Sequence, residues 1–214
     1  MKYLKEKELI IKYGKKMSKE GISSGTSGNL SIYIPEDDVV LITPSGIGYF
    51  DIIPDDIVVM TLEGEIVEGS KKPSSEWHLH TLFYKNKPEA RGVVHSHSVF
   101  CSTLSALRMP IKAVHYVIAD ANAKEVPCAP YKRFGTEELA KVAVETAGKA
   151  NAVLLANHGI VTCGKSLESA YNLAKGLEYV SEIQCRAMSI GKPHILSDEE
   201  MDDVLEGFKT YGQE

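Results

Sequence analysis

Residues 151–164 read NAVLLANHGIVTCG, and the fold turns on how that stretch is understood. Val153, Leu154, Leu155 and Ala156 follow one another without a polar break, and Ile160 and Val161 resume the pattern. A run that is apolar at consecutive positions, not at every second one, is typical of a strand covered on both faces. The stretch therefore predicts a strand at the heart of a sheet with helices on either side. His158 ends the VLLAN run immediately before Gly159, so its ring is expected to project from the end of that strand.

Working outward, the flanking segments alternate between strand and helix signals. Residues 29–34, NLSIYI, set Leu30, Ile32 and Ile34 against Ser31 and Tyr33, the period of a half-buried strand. Strands are also predicted over 39–46 (VVLITPSG) and 56–61 (DIVVMT), the latter joined to 65–69 (EIVEG) by a hairpin at LEGE. One helix ends near Gly21, and another runs from about Ser75 to a strand at 92–98, GVVHSHS. Ser166 opens a long helix with Ala170, Leu173, Leu177, Val180 and Ile183 at helical spacing, which closes before Gly191 and Pro193. Ser197 and Glu200 form the S-x-x-E capping box of a last short helix. Hairpins mixed with helices predict an α/β fold with three αβα layers, its central sheet mostly antiparallel and flanked by helices. With no repeat, low-complexity tract or linker, residues 1–214 are expected to form one domain.

Composition narrows the classes of function. Apolar residues make up 43% and charged residues 25%, ordinary for a globular protein. A net charge of −5 argues against a general nucleic-acid binder. The lysines of residues 2–19 fall among Leu4, Leu9, Ile10, Tyr13 and Met17 in a helical pattern, which reads as a solvated helix face. Cys101, Cys128, Cys163 and Cys185 are too widely spaced for a zinc motif and fit reduced intracellular thiols. No apolar run approaches the ~20 residues needed to span a bilayer, and a cytoplasmic location is expected.

The chemistry gathers in the histidines. His95 and His97 lie two apart on a predicted strand and so share a face. His78 and His80 are also two apart, but on a predicted helix, where they point to nearly opposite sides. A third ligand beside His95 and His97 would best come from His158. Three neutral imidazoles with one exchangeable position make a catalytic zinc arrangement, whereas structural sites are closed by four ligands and rich in cysteine. The competing reading is that each histidine is separately satisfied by hydrogen bonds, as is expected of His115 and His194.

Three turns of small residues form a second feature: GISSGTSGN at 21–29, TPSG at 43–46 and PSSE at 73–76. None matches a nucleotide-binding loop. Their free amides and hydroxyls suit a phosphate, most clearly where Ser74 and Ser75 precede a helix N-terminus. Each is also compatible with a plain turn or cap. Glu76 follows the serine pair, and beside a bound phosphate it would be the natural general base.

The fragments GTSGNLS, TPSGIGY, KPSSEWHLH, VVHSHS, HYVIA, CAPYKRFGT, ANHGI and FKTYG occur in the order seen in the class II aldolase/adducin family. The chain resembles that family from about residue 25 to 212. The resemblance implies aldol cleavage of a ketose 1-phosphate, L-fuculose 1-phosphate or similar, into dihydroxyacetone phosphate and a small aldehyde such as lactaldehyde. It also implies a homotetramer with active sites at subunit interfaces, and one zinc ion per subunit held by His95, His97 and His158. Glu76 is implied as a further ligand that substrate displaces and as the catalytic acid/base. The implied phosphate pocket comprises Thr26, Gly28, Asn29, Ser45, Gly46, Ser74 and Ser75. Tyr116, from a neighbouring subunit, is implied to handle the proton on the aldehyde oxygen, and Tyr211 to close over the site. A 5-deoxypentulose-1-phosphate aldolase is the nearest alternative. The family's pentulose-phosphate 4-epimerases resemble an aspartate at the Glu76 position, its methylthioribulose-phosphate dehydratases are a weaker fit, and its adducin-like scaffolds lack the metal ligands.

Overall fold

The computed structural model describes residues 2–208. Its strands are β1 (Asn29–Ile34), β2 (Val39–Ile42), β3 (Val58–Met60), β4 (Ile66–Glu68), β5 (Gly92–Ser96), β6 (Cys128–Ala129), β7 (Ala152–Leu155) and β8 (Gly159–Gly164). The helices are α1 (Leu4–Lys19), α2 (Trp77–Asn86), α3 (Val99–Ala106), α4 (Glu137–Ala147), α5 (Leu167–Ile190) and α6 (Asp198–Phe208). The strands form one sheet in the order β4-β3-β2-β1-β5-β8-β7-β6. Each neighbouring pair is antiparallel except β6–β7.

Successive residues on these strands face opposite layers. Val40, Ile42, Val58, Met60, Val93 and Val161 pack with Leu79 and Phe83 of α2 and with Leu139, Ala140 and Ala143 of α4. Leu30, Ile32, Leu41, Val59 and Val94 face the other way, against Ile10 and Met17 of α1 and Ala170, Tyr171 and Ala174 of α5. Farther along that second face, Leu154 and Ile160 meet Leu104 of α3 and Leu177 and Val180 of α5. The result is the αβα sandwich. Each fully buried Leu, Ile, Val or Phe contributes about 1.5–3 kcal/mol, so two packed faces supply most of the driving force. β5 lies between β1 and β8, in the interior of the sheet.

The structure divides residues 151–164 differently from the sequence reading. The apolar run is not one strand but the hairpin β7–β8, which turns at residues 156–158. Asn157 makes the turn with a φ of 55°, in the left-handed region that asparagine tolerates better than most residues. His158 therefore sits in the hairpin turn, not at a strand end. Both strands are buried almost throughout because helices cover both faces of this antiparallel pair. The strand predicted over 39–46 stops at Ile42, and that over 56–61 begins only at Val58, after a 3-10 turn opened by Pro54.

Gly159 fixes how closely the hairpin approaches β5. A Cβ there would lie 2.3 Å from the Ser96 carbonyl oxygen and 3.0 Å from His97 Cδ2. Neither the backbone oxygen nor the packed ring can yield cheaply. Gly159→Ala is predicted to lower the unfolding free energy by about 1–3 kcal/mol, read from urea denaturation. Wild-type stability in that variant would contradict the close approach.

Candidate metal centre and active site

Four side chains converge where β5, the β7–β8 turn and the start of α2 meet. Val93 and His95 share the face of β5 that looks toward α2, so the His95 ring is fully buried at that junction. Its Nδ1 lies 3.0 Å from the Ile160 carbonyl oxygen on the adjacent strand. A carbonyl only accepts, so Nδ1 always carries a proton, and in the neutral ring it is the Nε2 lone pair that faces inward. That Nε2 is 2.9 Å from His97 Nε2 and 3.1 Å from Glu76 Oε2. His158, from the hairpin turn, brings its Nε2 to 3.5 Å from Glu76 Oε1. The three rings stand 4.8 Å apart, centroid to centroid, for every pair. One ligand atom from each of the four residues falls within 4.8 Å of all the others.

This donor set fits a divalent cation. Inward-facing lone pairs and a carboxylate repel one another unless a positive charge lies among them. Glu76 Oε1 is buried without a hydrogen-bond donor, as a ligand oxygen would be. Burial depresses the pKa values of His158, to about 3, and His97, to about 4, with the His95 charge adding to the effect. Both rings are thus neutral near pH 7 and able to ligate. Burial acts to raise the Glu76 carboxyl, but His95, His158 and the Asn29 amide outweigh it and hold it below the usual range. Burial acts to lower His95, but the Glu76 carboxylate beside it leaves that ring's pKa raised.

The small-residue turns are stitched together next to this cluster. Thr43 N donates to the Leu30 carbonyl at 3.1 Å, and Leu30 N donates to Thr43 Oγ1 at 3.3 Å. Ser74 N donates to the Thr43 carbonyl and Ser45 N to the Lys72 carbonyl, both at 3.0 Å. Residues 25–29, 43–46 and 73–76 thereby become neighbours although far apart in sequence. Thr26, Ser45, Gly46 and Ser75 are exposed, Gly28 is half-buried, and Asn29 and Ser74 are buried. Gly28 has a φ of 76°, and a Cβ there would lie 2.8 Å from the His95 carbonyl oxygen. Glycine therefore brings this turn against β5 directly behind the cluster. Glu76 is the N-cap of α2, and its amide donates to Ser74 Oγ at 3.3 Å.

The remaining candidates fall elsewhere. Tyr116 lies outside the cluster, half-exposed on the 3-10 turn 116–121 and stacked on His115. Tyr211 lies outside the described residues. His78 stacks on Trp77, His115 Nδ1 accepts from Val117 N, and His194 is exposed. No local sequence signal marks the bond from Asn29 Nδ2 to Glu76 Oε2, at 3.2 Å, or the 2.6 Å contact between Asn29 Oδ1 and His80 Nε2. Both follow from the β1–β5 register, which sets Asn29 opposite His95. Among the described residues, no helix is long and apolar enough to cross a membrane.

Known proteins resemble this chain over most of its length. The family model described as "Class II Aldolase and Adducin N-terminal domain" matches residues 8–185. A 5-deoxy-D-ribulose 1-phosphate aldolase of Bacillus thuringiensis is 40% identical over 210 residues, covering 98% of each chain. The L-fuculose phosphate aldolase of Escherichia coli K12 is 42% identical over 197 residues, covering 92% of this chain and 90% of that one. A solved L-fuculose 1-phosphate aldolase superposes with a TM-score of 0.94 at 42% identity, covering 96% of each chain. With the family model matching most of its length, the chain belongs to the class II aldolase and adducin family and is a class II aldolase, a carbon–carbon lyase.

Proposed function

We propose that the protein is a zinc-dependent aldolase that reversibly cleaves a ketose 1-phosphate, L-fuculose 1-phosphate or one similar. The products are dihydroxyacetone phosphate and a small aldehyde such as lactaldehyde. The observation that carries this reading is the convergence of three imidazole Nε2 atoms and a buried carboxylate on one point. The neighbouring turns, rich in amides and hydroxyls, suit a phosphorylated substrate. The relatives named for fuculose and deoxyribulose phosphates support the substrate class.

His95, His97 and His158 would hold the zinc ion, with Glu76 as a further ligand that substrate displaces. When bound, the ion supplies a Lewis-acid charge for the electrons that the broken carbon–carbon bond leaves beside the ketone. Thr26, Gly28, Asn29, Ser45, Gly46, Ser74 and Ser75 grip the phosphate. Two of them precede the N-terminus of α2, where unpaired amides and the helix dipole favour an anion. Asn29 still has a second amide hydrogen beyond the one given to Glu76. This anchoring is positioning, which keeps the reacting carbon beside Glu76. Glu76 delivers a proton to that carbon in cleavage and removes it in condensation. Tyr116 of a neighbouring subunit handles the proton on the aldehyde oxygen, and Tyr211 closes over the site. The exposure of Tyr116 suits a residue that serves an adjacent subunit. The reading entails a cytoplasmic homotetramer in which residues 1–214 act as one domain.

A second reading takes 5-deoxypentulose 1-phosphate as substrate, with the same chemistry and a shorter aldehyde. The match to the Bacillus thuringiensis protein over nearly the full length of both chains favours it. Incubation with each sugar phosphate, following dihydroxyacetone phosphate, distinguishes the two. An isomerised sugar phosphate without dihydroxyacetone phosphate would instead assign an epimerase.

Three outcomes are predicted. His97→Ala loses bound zinc, measured by elemental analysis of the purified protein. Glu76→Gln keeps the metal while turnover falls by ~10²–10⁴, and unchanged turnover would remove Glu76 from the mechanism. The third outcome concerns pH in the metal-free protein. His80, His97 and His158 have folded pKa values of about 3, 4 and 3, against an ordinary value of 6.5. Below pH 6.5 the unfolded chain takes up protons that these folded rings refuse, so stability falls with pH. His95, with its raised pKa, opposes the trend but is outnumbered. The urea midpoint is expected to drop between pH 7 and pH 5, and a level midpoint would contradict the buried neutral rings.

A further inference from the structure

Behind Glu76 runs a chain of buried polar groups whose members beyond Asn29 the proposed chemistry leaves unused. It passes from Glu76 to Asn29, His80, Ser31 and Tyr84. His80 and Ser31 are wholly inaccessible to solvent, Tyr84 is 4% exposed and Asn29 is 5% exposed. With water shut out, each group depends on its neighbour for a partner.

The chain has one consistent direction. Ionised Glu76 only accepts, so the Asn29 amide nitrogen must face it, as the 3.2 Å contact places it. The Asn29 oxygen then faces His80, whose Nε2 at 2.6 Å must donate. A neutral imidazole that donates from Nε2 accepts at Nδ1, so Ser31 Oγ donates there at 2.7 Å. Ser31 Oγ in turn accepts from the Tyr84 hydroxyl at 2.7 Å. Any reversal would set two acceptors or two donors face to face in the core. Burial keeps His80 uncharged, with its pKa lowered to about 3, as this polarity requires.

We infer that His80 is a positioning residue: it locks the Asn29 side-chain amide with its nitrogen toward Glu76, and so orients the Glu76 carboxylate. Without it, the Asn29 amide is free to turn, and the turned amide would aim its oxygen at Glu76 and at the phosphate. The inference rests on the proposed roles of Glu76 and the phosphate pocket. It explains why a histidine stands in the wholly buried part of α2, where a leucine would pack with no need of partners.

The test is a double-mutant cycle between His80→Phe and Asn29→Ala in the full-length, zinc-loaded protein. Steady-state kinetics would use whichever sugar phosphate the wild type cleaves fastest, and zinc(II) affinity would be measured by competition with a chromophoric chelator. His80→Phe is expected to lower kcat and weaken zinc binding, each by about 10–100-fold, and to raise KM. The double variant should be no worse than Asn29→Ala alone, because the two side chains act as one unit. His80→Gln, which can still donate to the Asn29 oxygen, should retain most of the turnover. Multiplying losses in the double variant, a His80→Phe protein like wild type, or equal losses in the Gln and Phe variants would each overturn the inference. If His80→Phe does not fold, Ser31→Ala replaces it, with a few-fold loss that disappears in the Asn29→Ala background; unchanged turnover and zinc affinity would overturn the inference. A wild type that cleaves no sugar phosphate would refute the functional reading, while the zinc cycle would still decide the role of His80.

Discussion

The hydrogen bond from His95 Nδ1 to the Ile160 carbonyl is the constraint on which the site depends. It joins the neighbouring interior strands β5 and β8 and fixes which nitrogen of His95 faces the cluster. Both ends of the bond are wholly buried. A ring held this way can neither rotate nor exchange tautomers without leaving a buried carbonyl unpaired, which costs about 1–3 kcal/mol. His97 and His158 are then brought to it by backbone alone, one by the exit of β5 and the other by the tight turn at Asn157. Gly159 permits that turn to approach within contact of Ser96.

The fold serves this geometry with two apolar faces and little freedom at the centre. β5 is covered on one side by α2 and on the other by α5, so its end is rigid. α2 also delivers Glu76 from its N-cap position, at the point where the helix's unpaired amides favour negative charge. The same helix end lies against the stitched turns at 43–46 and 25–29. A carboxylate, a metal-binding trio and an anion pocket therefore come together because one helix begins beside the ends of two central strands.

Much of this was legible in the sequence. The alternation in 29–34 and the unbroken apolar character of 152–156 were enough for a sheet between helices, and the shared face of His95 and His97 followed from the period of a strand. The turn inside 151–164 was not legible as such, because apolar residues flank it on both sides and only Asn157–His158–Gly159 marks it. Helix α4 carries local signals that the apolar pattern alone does not reveal: Thr136 caps it, Glu137 and Glu138 occupy its first turn, and Gly148 ends it. The link from His80 through Asn29 to Glu76 has no local signature at all. It joins residues 47 and 51 positions apart, and only the pairing of β1 with β5 and the docking of α2 create it.

The central claim is that His95, His97, His158 and Glu76 hold one cation between them. Anomalous diffraction above and below the zinc absorption edge, on crystals grown with zinc, tests it most directly. The account predicts a single strong peak shared by the three imidazole Nε2 atoms beside the Glu76 carboxylate. Crystals that show no such peak, with the three rings bonded separately to other groups, would contradict it.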